Sequence, residues 1–408
     1  MAPTNTTKEI NIEIKQTDQL IEVIKHLTHD PHYKSHDVVL IKLTCMPKAR
    51  IDVASISSII QYSCDIVLSG NVHDVVFDFS HVRIPFTWPN KSIREILYAN
   101  HVSPIALELV SRDCRLTVFR KNDHNRRDDW YDQIKNWRKD LPNRFHLMLN
   151  ELVENVSAHA KLEEERFCFT TGLLFANKKL NYCVADSGVG LKGSLQEAIV
   201  SEAKDVAARM CALSLTRPQF TSKGEERGHQ GVGLFITSEL AQMNGGSLVI
   251  LSGCQVYEQC DTTVMRVRGI PEEWKGTLVS GMINLDKEFN YRQAMKLFAD
   301  PTKLSNDRFQ VSHFSLDVYG QCALRTRELC EEIMRDLELA AERSSKIILD
   351  FLCIIEISQA FHGFLKKFIV KHSNIQVLIK IPPTADEDLR EDLQELVELA
   401  KKNNHPSE

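Results

Sequence analysis

Apolar residues recur three and four positions apart at Phe145, Leu149, Leu152, Val153 and Val156, so Phe145 to Ala160 reads as a helix with one apolar stripe. Pro142 sits near its start, where a proline costs least. Asn181 to Ala185 reads as a strand ending at Asp186. Leu234 to Asn244 reads as a helix closed by Gly245-Gly246, and Thr277 to Leu285 as a further strand. The same pattern runs on both sides of this region. Ahead of it, Glu9 to Lys15 alternates like a half-buried strand, and Thr17 to Leu27 is helix-like. Val38 to Leu43, Asp74 to Phe79 and Ile105 to Val110 are strand-like, with helical stretches at Val53 to Tyr62 and Lys91 to Asn100. After it come a strand at Phe309 to Val318, a long helix at Ala323 to Arg343, a strand at Lys346 to Phe351, a helix at Gln359 to Val370 and a strand at Ile375 to Ile381. Such alternation predicts an α/β (α+β) chain in which helices pack on sheets.

Three polar motifs sit on this frame. In Glu151-Leu-Val-Glu-Asn155 the outer residues are four apart and share a helix face away from the apolar stripe. A carboxylate there can deprotonate a water. An amide oxygen one turn on can be a hard ligand for Mg²⁺. A solvated polar face is the plainer reading of that pair alone. Asp186-Ser-Gly188-Val-Gly190 ends a strand, and its aspartate can accept a hydrogen bond from the adenine amine beside glycines that permit close approach. A strand-to-loop turn is the plainer reading. Gly228-His-Gln-Gly231-Val-Gly233-Leu234 leads into a helix, where free backbone N–H groups and the helix dipole can hold phosphate. No G-K-[ST] follows, so it is not a Walker loop. Lys223 and Arg227 stand just before it, either as a γ-phosphate clamp or as solvated loop charges.

In order and spacing the three motifs resemble the GHKL ATPase superfamily of type II topoisomerases, mismatch-repair ATPases, sensor histidine kinases and anti-sigma-factor kinases, over roughly Asp128 to Leu285. The resemblance implies a Bergerat sandwich, with helices on one face of a mixed sheet, that binds ATP and Mg²⁺. It makes Glu151 the general base and Asn155 the magnesium ligand. Asp186 becomes the adenine reader, with Gly188 and Gly190 its glycines. Gly231, Gly233 and Leu234, with Gly228 and Lys223 nearby, are assigned to the phosphates, and Gly276-Thr277 matches the last box, whose threonine supports the adenine site. Many relatives carry G-x-G-x-G, whereas here His229 and Gln230 separate Gly228 from Gly231. The segment at about 191–230 corresponds to the family's ATP lid.

The run Ile347 to Phe361 resembles a STAS-like domain found behind GHKL modules in bacterial proteins. There the resemblance makes Ser358, at a helix start, a candidate phosphoacceptor. The antagonists' D-S-[SG] pattern is missing, and a plain N-cap is the other reading. The expected organisation is an N-terminal α/β domain over 1–125, the ATP-binding domain over 126–288, a STAS-like α/β domain over 300–383 and an acidic helical tail over 384–408. Leu389, Leu393, Leu396 and Ala400 make the tail's apolar face.

Composition narrows the use of such a site. The 408 residues carry a net charge of −5, which argues against a nucleic-acid footprint over the whole chain. The cluster Arg115, Arg120, Lys121, Arg126 and Arg127 is diluted by acidic neighbours and reads as a solvated linker. Eleven cysteines without a C-x-x-C, many in apolar runs such as Cys168, Cys183 and Cys353, fit buried thiols in a reducing cytoplasm. No apolar run approaches the ~20 residues of a membrane helix. The expected protein is a cytosolic regulatory ATPase or Ser/Thr-type protein kinase with a protein partner, and a homodimer stays open. A non-catalytic ATP-gated switch is the alternative. A soluble histidine kinase ranks lower, because His124 reads as lying in a loop and His146 in the motif helix itself.

Overall fold

The structure is a computed structural model that describes residues 7–14, 20, 23, 27, 38–45, 51–81, 84, 86–89, 91–98, 105–120, 124–142, 144–195, 233–260, 264–299, 311–316, 323–342, 344–351 and 354–404. The chain is mixed α/β and divides into two compact units. One holds Met1–Gly190 and Glu272–Phe289, the other Leu191–Pro271 and Asn290–Glu408.

The first unit opens with three parallel strands, β1 (Thr7–Ile14), β2 (Val38–Cys45) and β3 (Asp74–His81), in that order. Leu20, Val23 and Leu27 are helical, and the rest of the helix expected over Thr17 to Leu27 lies outside the described residues. Helix α1 (Val53–Leu68) follows β2, and α2 (Ile93–Tyr98) follows β3. A second, antiparallel sheet runs β4 (Ile105–Val110), β5 (Cys114–Phe119), β6 (Phe169–Ala176), β7 (Lys179–Asp186) and then the Glu272–Asn284 part of β9 (Val264–Asn284). This sheet draws strands from both sides of residue 125, the expected domain boundary.

Both faces of the antiparallel sheet are covered, where helices on one face were expected. The reason is legible in β6: Phe-Thr-Thr-Gly-Leu-Leu-Phe-Ala has no charged side chain, and its first seven residues are buried. With no polar face to leave in water, each side needs a lid. On one side α1 comes so close to Gly172 that a Cβ there would lie 2.5 Å from Val53 Cγ2 and 2.6 Å from Ser57 Oγ. Ser58 and Ser63 return their hydroxyls to helix carbonyls at 2.8 and 2.7 Å, and Asp52 caps the helix by accepting from Ser55 N at 2.6 Å. On the other side lie α3 (His124–Trp137) and α4 (Phe145–His159). Trp130 of α3 donates to Thr117 Oγ1 at 3.0 Å, and Phe145 of α4 meets the Tyr182 ring. Phe119 stacks on Phe169 with centroids 4.5 Å apart.

The basic stretch expected as a solvated linker forms β5 and α3 instead. Arg115 is buried on β5 and donates through Nε to Glu108 at 3.1 Å and through Nη2 to Gln133 at 2.7 Å. Arg127 is buried on α3, donating to Ser157 Oγ and lying 3.3 Å from the Glu154 carboxylate. Arg120 donates to the Phe167 carbonyl at 3.1 Å. Such charges tolerate burial because partners meet them there. Lys121 and the Arg126 side chain lie outside the described residues. His124 opens α3 and is not in a loop.

In the second unit, the Val264–Pro271 part of β9 pairs in parallel with β10 (Val311–Ser315). The order continues through β12 (Lys346–Asp350) and β14 (Gln376–Lys380), all parallel. β8 (Ser247–Cys260) pairs with β9, and the two-residue strands β11 (Ala323–Leu324) and β13 (Glu356–Ile357) pair with each other. Between β7 and β10 run the helices α5 (Gly190–Leu195), α6 (Gly233–Asn244) and α7 (Tyr291–Ala299). Later come α8 (Arg327–Ala341), α9 (Gln359–Lys371) and α10 (Glu387–Asn404). The expected apolar face of the tail is real: Leu389, Leu393, Leu396 and Ala400 are buried, and α10 packs on α9 and β14. Lys380 at the end of β14 donates to Asp350 at the end of β12 at 3.2 Å.

Ser358 is the N-cap of α9 and accepts from Phe361 N at 3.2 Å. Replacing it by alanine is expected to cost about 1 kcal/mol, read as a lower denaturation midpoint of the second unit. An unchanged midpoint would mean the cap contributes nothing.

No helix among the described residues is long and apolar enough to cross a membrane. Cys168 and Cys183 are buried thiols, as expected, and Cys353 lies outside the described residues.

Candidate functional site

The expected apolar stripe of α4 is buried at Phe145, Leu149, Leu152, Val153 and Val156. Its opposite face carries Glu151 and Asn155, each half-buried. Neither side-chain head has a hydrogen-bond partner among the described residues. Burial and the neighbouring Glu154 carboxylate push the Glu151 carboxyl above its usual range. A carboxylate moved toward neutrality is a better base.

Asp186 ends β7 and is 4% exposed. Burial pushes its carboxyl up to about 7, against two backbone hydrogen bonds that favour the charged form. Gly188 N donates to Oδ1 at 2.7 Å, and the Thr277 N–H donates to the same carboxyl. Two donors leave acceptor capacity on an ionised carboxylate, which has about four lone-pair sites.

Close backbone packing brings these residues together. A Cβ on Gly188 would lie 2.3 Å from the carbonyl oxygen of Ala160, at the end of α4, and Val189 N donates to that oxygen at 3.0 Å. The space at Gly188 is thus taken by the helix end. Gly276 has φ +84°, and a Cβ there would lie 2.1 Å from the Asp186 carbonyl oxygen. So α4, the end of β7 and the Gly276–Thr277 bend form one cluster within the first unit. Gly190 has φ +69° and starts the short helix α5.

Gly233 and Leu234 open α6 in the second unit, where Thr237 Oγ1 donates to the Gly233 carbonyl at 2.8 Å. Gly245, with φ +64°, ends that helix, and Gly246 N donates to Ala241 O at 2.8 Å. Lys223, Arg227, Gly228 and Gly231 lie outside the described residues, as does the part of the expected lid segment beyond residue 195.

Two residues of α1, outside all of the motifs, reach this cluster. Gln61 is fully buried and donates to Ser187 Oγ at 2.8 Å, next to Asp186. Asp65 lies 3.8 Å from Lys275 Nζ, next to Gly276. The only sequence signal was a polar pair four apart inside an apolar helix.

No protein-family model, curated protein or solved structure matches this chain. The likeness to GHKL ATPases therefore rests on the motifs.

Proposed function

We propose that the chain is a cytoplasmic ATP-binding regulatory protein that uses Mg²⁺ and hydrolyses ATP. The observation that carries this reading is the Asp186 cluster: a buried carboxylate with spare acceptor capacity, held by the N–H groups of Gly188 and Thr277. The order of groups along α4 supports it. At 1.5 Å per residue, Asn155 stands about 7 Å and Glu151 about 14 Å along the helix from the Ala160–Gly188 contact. Base reader, metal ligand and general base thus follow one another along one direction.

In this reading Asp186 accepts a hydrogen bond from the adenine amine, and Thr277 supports the carboxylate. Asn155 holds magnesium through its amide oxygen. The ion, when bound, supplies charge neutralisation at the phosphates. Glu151 takes the proton of the attacking water. The heads of Glu151 and Asn155, half-buried and without a hydrogen-bond partner among the described residues, suit such ligands. Ser358 has its hydroxyl committed to a helix cap, so we take water as the acceptor of the γ-phosphate. The STAS-like end, built on β10, β12 and β14, is the part we assign to a protein partner in a partner-switching pathway.

Calorimetric titration with Mg-ATP and Mg-GTP tests the reading. Wild type is expected to bind ATP in preference to GTP. Asp186→Asn, which replaces one acceptor oxygen by an N–H₂ that cannot accept from the adenine amine, is expected to lose about tenfold or more in ATP affinity. No ATP binding by wild type, or affinity untouched in Asp186→Asn, would sink the proposal.

The sign of the pH dependence follows from the same carboxyl. Folded protein holds its proton up to about 7, unfolded chain only to 3.8. The stability this protonation contributes is therefore present below 3.8 and lost as pH rises through about 7. ATP needs the ionised form as acceptor, so binding releases the proton. Below neutrality, affinity is expected to fall by about tenfold per pH unit. A flat profile in the same titrations, repeated from acid to neutral pH, would contradict this.

A further inference from the structure

We infer that helix α1, from the N-terminal part of the chain, positions the nucleotide site, with Gln61 and Asp65 as its positioning residues. The inference rests on the proposed reading of Asp186 and Thr277 as the adenine site.

Gln61 and Asp65 are four apart and so share a face of α1. Each fastens one of the two segments that meet at the Asp186 carboxyl. Gln61 Nε2 donates to Ser187 Oγ at 2.8 Å and to the Cys168 carbonyl at 3.1 Å, and its Oε1 accepts from Thr170 Oγ1 at 2.9 Å. Ser187 directly follows Asp186. Asp65 sits 3.8 Å from Lys275 Nζ and 3.7 Å from Arg166 Nη2, and Lys275 directly precedes Gly276. One helix therefore holds the Asp186 arm and the Thr277 arm, each through a residue adjacent to the glycine or carboxylate that shapes the site.

Stability alone does not call for these groups. A buried amide costs free energy unless its bonds are made, and apolar groups in place of Gln61 and its side-chain partners would fill the same space without that condition. Lys275 and Arg166 are 63% and 42% exposed, so their pairs with Asp65 contribute little to folding. What the contacts do supply is direction. A fully bonded Gln61 ties α1 to three points of the sheet and its following turn, and such a network specifies one arrangement. The same helix also packs against α2 and β3.

The effect falls on base discrimination. Adenine offers an amine to the Asp186 carboxylate, whereas guanine offers a carbonyl oxygen at the same ring position. A well-held carboxylate accepts the first and repels the second. A loosened one discriminates less.

The test uses the full chain and its affinities for Mg-ATP and Mg-GTP. In Gln61→Met, which keeps length without polar atoms, the ATP-over-GTP ratio is expected to narrow about tenfold. Ser187→Ala severs the Gln61–Ser187 bond while leaving the other two Gln61 bonds, and is expected to narrow the ratio in the same direction. If Gln61→Met does not fold, Ser187→Ala decides. A lower melting temperature with an unchanged ratio in Ser187→Ala overturns the inference. If Asp186→Asn meanwhile destroys ATP preference, the adenine-site reading stands without it. Wild type that binds no ATP overturns both.

Discussion

Glu151→Gln is expected to lower ATP turnover by about 10²–10⁴-fold, while ATP affinity stays within about threefold. Glutamine keeps the shape of the side chain and removes its ability to take a proton. Glu151 is the group on α4 suited to that role, half-buried and pushed toward neutrality by burial and Glu154. Glu154 itself is no substitute, because it faces the buried Arg127 at 3.3 Å. Release of inorganic phosphate under saturating Mg-ATP measures the loss. Turnover equal to wild type would remove Glu151 from the chemistry. Wild type that binds ATP and releases no phosphate at all would make the protein an ATP-gated switch.

The second large effect is expected at Gly276. Its φ of +84° is a conformation that side chains rarely adopt, and a Cβ would meet the Asp186 carbonyl oxygen at 2.1 Å. Both features act on the same residue. Left-handed backbone costs a non-glycine residue about 1–3 kcal/mol, and the neighbour that would have to yield is backbone, not a flexible side chain. Gly276→Ala is expected to lose about 3 kcal/mol or more, a fall on the order of 10 °C in the melting of the first unit. Since the displaced atom belongs to Asp186, ATP affinity should fall with it. Scanning calorimetry with and without Mg-ATP reads both. An alanine variant that melts like wild type would show that the bend relaxes freely.

Periodicity marked most elements well. Ile105 to Val110 is a strand with those limits, and α4 runs from Phe145 with the expected residues buried. It failed where charge misled. Arg115 and Arg127 look like surface residues in a polar stretch, yet Glu108 and Glu154 pair with their charges and Gln133 and Ser157 accept hydrogen bonds from them inside. Those partners lie on other elements, and only the fold shows which ones face. β8 and the first part of β9 also escaped, because their mixed composition lacks a clear two-residue period. The Asp186, Gly188 and Gly276–Thr277 boxes were legible as motifs, and the fold brings them together. Gln61 was not legible as a site residue. It meets Ser187 across 126 positions of chain, a distance no local pattern records.

Helix α1 has a consequence for where the chain can be divided. Fourteen of its sixteen residues are buried, and part of one side lies against a strand stripped to glycine at position 172. A fragment begun at residue 126 would carry the motif boxes but leave that glycine groove bare and the sheet short of β4 and β5. Apolar, uncharged β6 would then face water on one side, a surface prone to self-association. The first unit is therefore indivisible at the place where its motifs begin. Any enlargement at residue 172 also has to be matched by shrinkage at Val53 or Ser57, so these two distant stretches of sequence are bound to change together.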